Sequence, residues 1–221
     1  MKSISFKMFQ KELCLSQSVL TPLFLLGTAM TFIPNYPILV GAFMVCLGIF
    51  YSFQNAREQQ DILYSILLPV GKRDIVSAKY RFVCFYQIIA FLLFSVFTVL
   101  RMTLLSGSPV YQSNTLLLAS PLFLAFVLLI FLWFNVFFVG GFMKTAYALG
   151  KPLIFFSVAA FLTVGIAETL PHLPGMEFLK NTRGEKLGLQ FSVLAGAVLL
   201  FAGGTLLSLK KAADNFEKVD L

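Results

Sequence analysis

Charged residues, histidine and cysteine are scarce in this chain. Of its 221 residues only 12% are charged, one is a histidine, and three are cysteines that stand far apart. No Cys or His pair has the spacing of metal ligands, so we expect no metal site and interpret the cysteines as small buried apolar residues. His172 has no Cys, Asp or second His beside it in the sequence, and we expect a loop histidine rather than a ligand or catalytic base.

Motifs for catalysis and nucleotide binding are also missing. The chain has no G-x-x-x-x-G-K-[ST] loop, no G-x-S-x-G and no H-E-x-x-H, and GKRD at residues 71–74 lacks the upstream glycine and the following Ser or Thr of a phosphate-binding loop. No carboxylate pair lies inside an apolar run, where intramembrane hydrolysis would need one. We therefore expect no enzyme activity, no catalytic residue and no cofactor in this chain.

Apolar residues are abundant instead. They make up 58% of the chain, 26 residues are Phe, and the mean hydropathy is strongly positive, which is typical of an integral membrane protein. A helical crossing needs roughly 20 mostly apolar residues, and continuous rather than alternating runs indicate helices. The sequence predicts six transmembrane helices in one all-α membrane domain covering residues 1–221. The six predicted spans are residues 19–33, 38–53, 82–100, 116–139, 152–167 and 187–209.

The distribution of basic residues predicts the orientation. If the N-terminus is cytoplasmic, residues 1–18, 54–81, 140–151 and 210–221 lie on that side and carry 13 of the 17 Lys and Arg residues. An excess of basic residues in the cytoplasmic segments is the usual rule for membrane proteins. We therefore expect a multi-pass protein of a bacterial cell membrane, with a cytoplasmic tail at 210–221. The net charge of +7 then reflects topology and anionic lipid rather than nucleic acid.

Residues 1–18 form a second informative segment. On a helix Phe6, Phe9 and Leu13 share one face, whereas Lys7 and Lys11 share another. This pattern predicts a helix lying in the membrane interface, and a simple basic flank is the alternative.

Polar residues inside the predicted spans are neutral. No ionisable residue lies at mid-membrane, since Arg101 and Glu168 fall at the outer ends, and this argues against a proton-driven carrier or a voltage sensor. We expect the neutral side chains to make hydrogen bonds between helices rather than to contact a substrate. These residues are Gln87, Thr98, Asn135, Ser157, Thr163 and Thr205.

The longest predicted cytoplasmic loop, residues 54–81, contains a pattern of its own. Its first half predicts a short amphipathic helix, which Pro69 and Gly71 end, and a new helix begins near residues 72–74 and runs into the third span. The predicted apolar stripe of the short helix consists of Ile62, Leu63, Ile66 and Leu67.

This loop resembles a motif of a known family. Residues 68–80 read LPVGKRDIVSAKY, which is similar to L-P-x-[ST]-R-x-x-[IV]-V-x-[AGS]-K-Y in the permease subunits of exporter-type ABC transporters, the type-2 permease superfamily. The resemblance extends to the six spans, the leading interfacial helix and the chain length. The small and basic positions are shifted by one residue, so either Lys72 or Arg73 corresponds to the basic residue of the family.

The resemblance implies that the loop contains a coupling helix that docks on a separate ATP-binding subunit. ATP and Mg²⁺ would then bind to that partner, and the permease would pair with a second copy or with a sister permease. Asp61 and Arg73 are expected to face the ATPase. The full set assigned to this contact is Glu58, Gln60, Asp61, Leu63, Tyr64, Leu67, Leu68, Pro69, Lys72, Arg73 and Asp74.

The resemblance also implies which residues line the translocation pathway. In the family the first, second and fifth spans line it, and Tyr51, Phe53, Phe155 and Phe156 would make its inner end aromatic, although packing in the core or against lipid is the alternative for each. Such walls fit an apolar or amphipathic cargo, such as a peptide or a lipid-like molecule. Two other classes stay open: a membrane subunit that binds substrate in a vitamin importer, with Glu168, His172 and Glu177 as outer candidates, and a nonenzymatic scaffold or immunity protein.

We predict that both termini and residues 54–81 and 140–151 face the cytoplasm, because these segments hold most of the basic residues. The native cysteines are replaced first, and single cysteines are introduced for labelling with a membrane-impermeant maleimide in intact cells. Positions 72 and 215 should be protected, and positions 108 and 182 should react. Reaction at 72 or 215 together with protection at 108 or 182 would contradict the orientation.

Overall fold

The computed structural model describes residues 2–105, 107–108, 111, 116–174 and 187–219, with side chains from residue 6 onward. These residues form helices and no strand, which confirms the all-α prediction. Parts of the predicted outer loops, including Glu177, lie outside the described residues.

The N-terminal segment forms two helices at nearly a right angle. Helix α1, Lys2–Lys11, continues into a π-helical turn at Glu12–Ser16, and helix α2, Leu20–Leu23, continues as a 3₁₀ helix at Phe24–Phe32. The two segments meet at 88°. The sequence correctly predicts a helix here, and its location in a membrane interface stays a prediction.

The predicted loop between spans 2 and 3 has the helices that the sequence indicates. Helix α3, Val40–Glu58, is followed by α4, Asp61–Leu67, and by α5, Lys72–Leu104. Gln60 adopts the left-handed conformation between α3 and α4, with φ of 52°. Leu68 and Gly71 are extended, so the Pro69 corner separates α4 from α5 as predicted.

Three further helices complete the described fold. Helix α6, Pro121–Thr145, begins with an N-cap in which Ser120 Oγ accepts a hydrogen bond from the Phe123 amide, and it contains a π-helical segment at Phe134–Val139. Helix α7, Gly150–Thr169, ends in a short 3₁₀ turn at Leu170–His172. Helix α8 is Leu187–Glu217.

Among the described residues, four helices are long and apolar enough to cross a membrane. They are α5, α6, α7 with its 3₁₀ turn, and α8, and the bent segments Phe6–Ser16 and Leu20–Phe32 together add a fifth candidate. Helix α3, the predicted second span, is not among them. Its last turns are polar, because they contain Gln54, Asn55, Arg57 and Glu58. A membrane domain of four to five candidate spans is therefore shown, and the count of six is not confirmed.

Helix α6 lies at the centre of the domain. In its most apolar 18-residue window 72% of the residues are buried, compared with 11% in α8, so α8 packs at the periphery. The rings of Phe53 and Phe142 meet edge to face at 5.1 Å, and Phe134 meets Phe156 in the same way at 5.1 Å. Both Phe53 and Phe156 are fully buried, so these two predicted pathway residues belong to the core of this chain.

A polar network crosses the buried part of α5, α6 and α8. Gln87 Nε2 donates to Asn135 Oδ1 at 2.9 Å, and Asn135 Nδ2 donates to Thr205 Oγ1 at 3.0 Å. Tyr80 and Ser208 hydroxyls both reach the Asn135 carbonyl, at 3.2 and 3.0 Å. Asn135 lies in the π-helical segment, where such a carbonyl accepts bonds from outside the helix. The prediction of interhelical hydrogen bonds is thus confirmed for Gln87, Asn135 and Thr205.

Glycines permit close packing between the N-terminal segment and α3. A Cβ atom on Gly41 would collide with the Gly27 carbonyl, and one on Gly48 would lie 2.5 Å from Phe24 Cβ, so α2 and α3 touch through glycine. Gly196 and Gly203 on α8 show the same spacing of seven, but no described atom lies within 4 Å of a Cβ built on them. Their face of α8 has no neighbour within the described part of the chain.

Candidate functional site

The outer face of α4 exposes apolar side chains. Leu67 is 85% exposed and Tyr64 is 54% exposed, while Leu63 is half-buried. Ile62, which the sequence analysis grouped with Leu67 in one stripe, is buried and packs into the core. The exposed surface of α4 is therefore narrower than the predicted stripe.

The inner face of α4 contacts a compact group of charges. Lys11, Glu12, Asp61 and Lys79, hereafter the ion cluster, come from the N-terminal segment, α4 and α5. Lys79 Nζ bonds Asp61 Oδ2 at 2.8 Å and also contacts Glu12 Oε2, while Lys11 Nζ contacts Asp61 Oδ1 and lies 3.1 Å from Glu12 Oε1. Each lysine thus contacts both carboxylates, and positive and negative groups alternate around the cluster.

Hydrogen bonds extend this group along α4. Lys11 Nζ donates to Ser65 Oγ at 2.7 Å, and Ser65 Oγ donates to the Asp61 carbonyl at 2.7 Å. The Lys79 ammonium also lies 5.9 Å from the centre of the Phe53 ring. Lys11 therefore fixes one turn of α4 to α1, and Lys79 fixes the same turn to α5.

Burial raises the free-energy cost of keeping the groups of the ion cluster charged. The side chains of Glu12 and Lys79 are 1% and 2% exposed, and those of Asp61 and Lys11 are 7% and 10% exposed. Burial alone would raise the pKa of Asp61, but the charge of Lys79 and the hydrogen bonds from Lys11 and Lys79 lower it below its ordinary value. A depressed carboxyl pKa means that the stability from Asp61 is present above its unfolded-state pKa, about 3.9, and is lost as the pH falls through the folded value.

The corner after α4 is tied to the end of α8. Arg73 Nε donates to Glu217 Oε1 at 2.7 Å, and Arg73 Nη2 reaches Glu217 Oε2 at 3.1 Å and Asp214 Oδ1 at 3.2 Å. Lys72 Nζ donates to the Val219 carbonyl at 2.8 Å. These pairs lie at the surface, with Arg73 65% exposed, and contribute little to stability.

The residues predicted to contact the ATPase therefore differ in their exposure and in their contacts. Asp61 is buried in the ion cluster and is not available at the surface of the described chain, because Lys11 and Lys79 surround its carboxylate. Lys72, Arg73 and Asp74 lie in the first turn of α5, where the first two hold the end of α8. The residues exposed at the surface include Glu58, Gln60, Tyr64, Leu67, Pro69 and Arg73.

Sequence reasoning missed Glu12, the residue that completes the ion cluster. It placed Lys11 on the polar face of an interfacial helix and gave Lys79 no role beyond the motif. A signal was present, because Glu12 is the only acidic residue among the first 57. An isolated acid next to a lysine in an amphipathic, membrane-facing helix is expected to have a partner when it is buried.

The other two predicted pathway residues lie apart from each other. Tyr51 is half-buried and its ring lies 5.8 Å from that of Phe24, whereas Phe155 is 64% exposed on α7. The neighbouring face of α7 forms an open groove of about 710 Å³. Its lining includes Ile154, Ser157, Val158, Phe161, Leu162 and Ile166.

The chain matches a family model described as ABC-2 family transporter protein. The match covers residues 6–211, nearly the whole chain, from within α1 to within the last turns of α8. No curated protein and no solved structure matches the chain significantly.

We predict that Lys79→Met lowers the free energy of unfolding by about 3–5 kcal/mol, because it leaves Glu12 and Asp61 buried with only Lys11 between them. The measurement is thermal or denaturant unfolding of the purified protein in detergent. Arg73→Gln is the matched control: it also removes one basic partner of two carboxylates, but at the surface, and its unfolding midpoint should stay unchanged. Equal midpoints for wild type and Lys79→Met would contradict the role of the ion cluster.

Proposed function

The chain belongs to the ABC-2 family of transporter proteins, and from that membership we propose that it is the permease of an ATP-driven exporter. As a membrane subunit of an ABC transporter it associates in general with an ATP-binding subunit. The chain itself carries no nucleotide-binding motif in its sequence, so we assign ATP and Mg²⁺ to that partner and no enzyme activity to this chain.

The observation that carries the proposal is the short helix α4. It lies between α3 and α5, is bounded by a left-handed residue and a proline corner, and presents Tyr64 and Leu67 outward while its other face is fixed from within. An exposed apolar pair on a rigid helix is typical of a protein contact. We assign α4 as the coupling helix, with α3 as the second of six spans and both termini in the cytoplasm.

The exposed face of α7 supports a paired permease. The groove along this helix is almost entirely apolar, and Ser157 and Gly165 provide small positions along it. Small residues allow close helix contact in membranes, where hydrophobic burial gives little driving force. We propose that a second permease, identical or homologous, covers this face.

The cargo we propose is apolar or amphipathic, such as a peptide or a lipid-like molecule. Among the neutral polar groups of the described spans, Gln87, Asn135 and Thr205 bond one another, and exposed Phe155 and Phe161 add aromatic surface to α7. A hydrophilic cargo such as a sugar would need polar groups free to bind it. The exporting direction follows from the resemblance of the 68–80 segment.

A vitamin importer subunit is the alternative, and one contact argues against it. Glu168 Oε2 accepts a hydrogen bond from the Leu117 amide at 2.7 Å, so one oxygen of this outer carboxylate is already used within the chain. Co-purification in mild detergent tests the classes directly. A stoichiometric ABC ATPase encoded beside the permease supports export, an uptake module that serves several substrate-binding subunits supports import, and absence of any ATPase supports a scaffold or immunity protein.

Leu67→Asp should weaken binding of the ATPase subunit by about 30-fold or more, which corresponds to loss of about 2 kcal/mol at an interface anchor. Binding is measured by titrating the purified ATPase onto the permease in nanodiscs. The same-site control Leu67→Met keeps an apolar side chain of similar size and should bind normally. Both variants should insert and fold as wild type does, since Leu67 has few contacts within the chain. Undiminished binding by Leu67→Asp would remove α4 as the docking helix.

Amphipathic peptides and lipids, but not hydrophilic sugars, should raise ATP turnover of the reconstituted complex. The reason is that an apolar pathway desolvates a sugar without replacing its hydrogen bonds. The measurement is phosphate release from proteoliposomes at matched cargo concentrations, with the isolated ATPase subunit as the control. Stimulation by sugars at or above the level of the peptides would refute the proposed cargo class.

A further inference from the structure

We propose that Lys11 and Glu12 are positioning residues that make helix α1 move together with α4, so that a displacement of α4 reaches α2 and α3 through the N-terminal segment. This inference rests on the proposed function, because it assumes that an ATPase displaces α4. It adds a second route for that displacement, beside the covalent connection from α4 through the Pro69 corner into α5.

The link between α1 and α4 consists of side-chain contacts across about fifty residues of sequence. Lys11 reaches both the Asp61 carboxylate and Ser65 Oγ, so it holds two residues one turn apart on α4. Two contacts one turn apart restrain rotation of α4 as well as its separation from α1. Glu12, the next residue, binds Lys79 and ties the same point to α5.

Burial makes this link stiff. Moving α4 away from α1 would take from Asp61 and from Lys11 one of the two opposite charges that each contacts in a nearly buried site, which is unfavourable. A push on α4 is therefore expected to carry α1 with it rather than to break the ion cluster.

The far end of the N-terminal segment is held to α3. After the 88° bend, the Ser18 amide donates to Ser52 Oγ at 2.8 Å. Thr21 Oγ1 donates to the Gly48 carbonyl at 2.7 Å and also lies 2.6 Å from Ser52 Oγ. Polar contacts thus hold the N-terminal segment at both ends, to α4 through Lys11 and to α3 through Ser18 and Thr21, and the backbone of residues 12–18 joins the two ends.

The test uses a double variant that removes the ionic contacts of Lys11 with α4 and of Glu12 with Lys79 on α5. Lys11→Met with Glu12→Gln removes one positive and one negative charge and leaves Asp61 paired with Lys79, so no unpaired charge is created. The edge-to-face contact of Phe9 with Phe85 stays in place to hold α1 on α5. Lys7→Met, at an exposed position of the same helix, is the matched control. The unfolding midpoint of each variant is measured first to confirm that it folds.

The first measurement needs no partner. Spin labels at positions 10 and 64, in a chain whose three cysteines are replaced by alanine, report the distance between α1 and α4 in nanodiscs. We expect one narrow distance distribution in the cysteine-free parent and in Lys7→Met, and a broad one in the double variant. An unchanged distribution in the double variant would overturn the proposed link.

The second measurement uses the complex with the ATPase. A single cysteine at position 19, an 85% exposed site at the bend, is alkylated with and without a non-hydrolysable ATP analogue. We expect the analogue to change the alkylation rate in the parent and in Lys7→Met, and this change to be lost in the double variant although its ATPase stays bound. A response that persists in the double variant would overturn the inference. Failure of the parent to bind any ATPase would instead refute the proposed function, while the distance measurement still decides the link.

Discussion

Electrostatic pairing among Lys11, Glu12, Asp61 and Lys79 is the interaction on which helices α1, α4 and α5 depend for their arrangement. Each of these groups is nearly buried, and each meets two opposite charges. Charges in apolar surroundings are tolerated only when such partners are present, so the positions of α1, α4 and α5 must satisfy all four at once. The exposed face of α4 is a consequence: with Asp61 turned inward, Tyr64 and Leu67 are the side chains that remain outside. The geometry of this exposed surface is thus determined by contacts on the opposite side of the helix.

The same requirement operates inside the apolar domain with neutral groups. Gln87, Asn135 and Thr205 satisfy one another between α5, α6 and α8, and the Asn135 carbonyl receives two hydroxyl groups. Hydrocarbon offers no alternative hydrogen-bond partner, so this network specifies which faces of the three helices meet. It also connects to the ion cluster, because Tyr80 in the network directly follows Lys79 in the cluster. Lys79 therefore belongs to the ion cluster, and the next residue of α5, Tyr80, belongs to the hydrogen-bond network between α5, α6 and α8.

Local signals in the sequence predicted the helices well. They predicted less well which side of each helix is buried. Pro69 and Gly71 act through backbone conformation alone, so the end of α4 and the start of α5 at Lys72 follow from the sequence. The hydrogen bonds of Gln87 and Asn135 were also predictable, because polar groups in hydrocarbon need partners. The inward position of Asp61 was not, since a seven-residue helix with apolar residues on most sides does not reveal which face is buried. Phe53 and Phe156 were equally ambiguous among 26 Phe residues, and only the tertiary packing around α6 places them in the core.

The π-helical segment at Phe134–Val139 divides α6 into two halves with different phases. A π turn accommodates one residue more than an α turn, and one residue corresponds to about 100° of rotation around the helix axis. Residues before Phe134 and after Val139 therefore do not follow a single periodic pattern, although they form one continuous rod. The residues of α6 that contact α7 and α8 before Phe134 therefore follow one periodic pattern. Those after Val139 follow a pattern that is rotated around the helix axis. A relative whose corresponding helix is α-helical throughout would align with this chain only if a one-residue gap were placed within that segment.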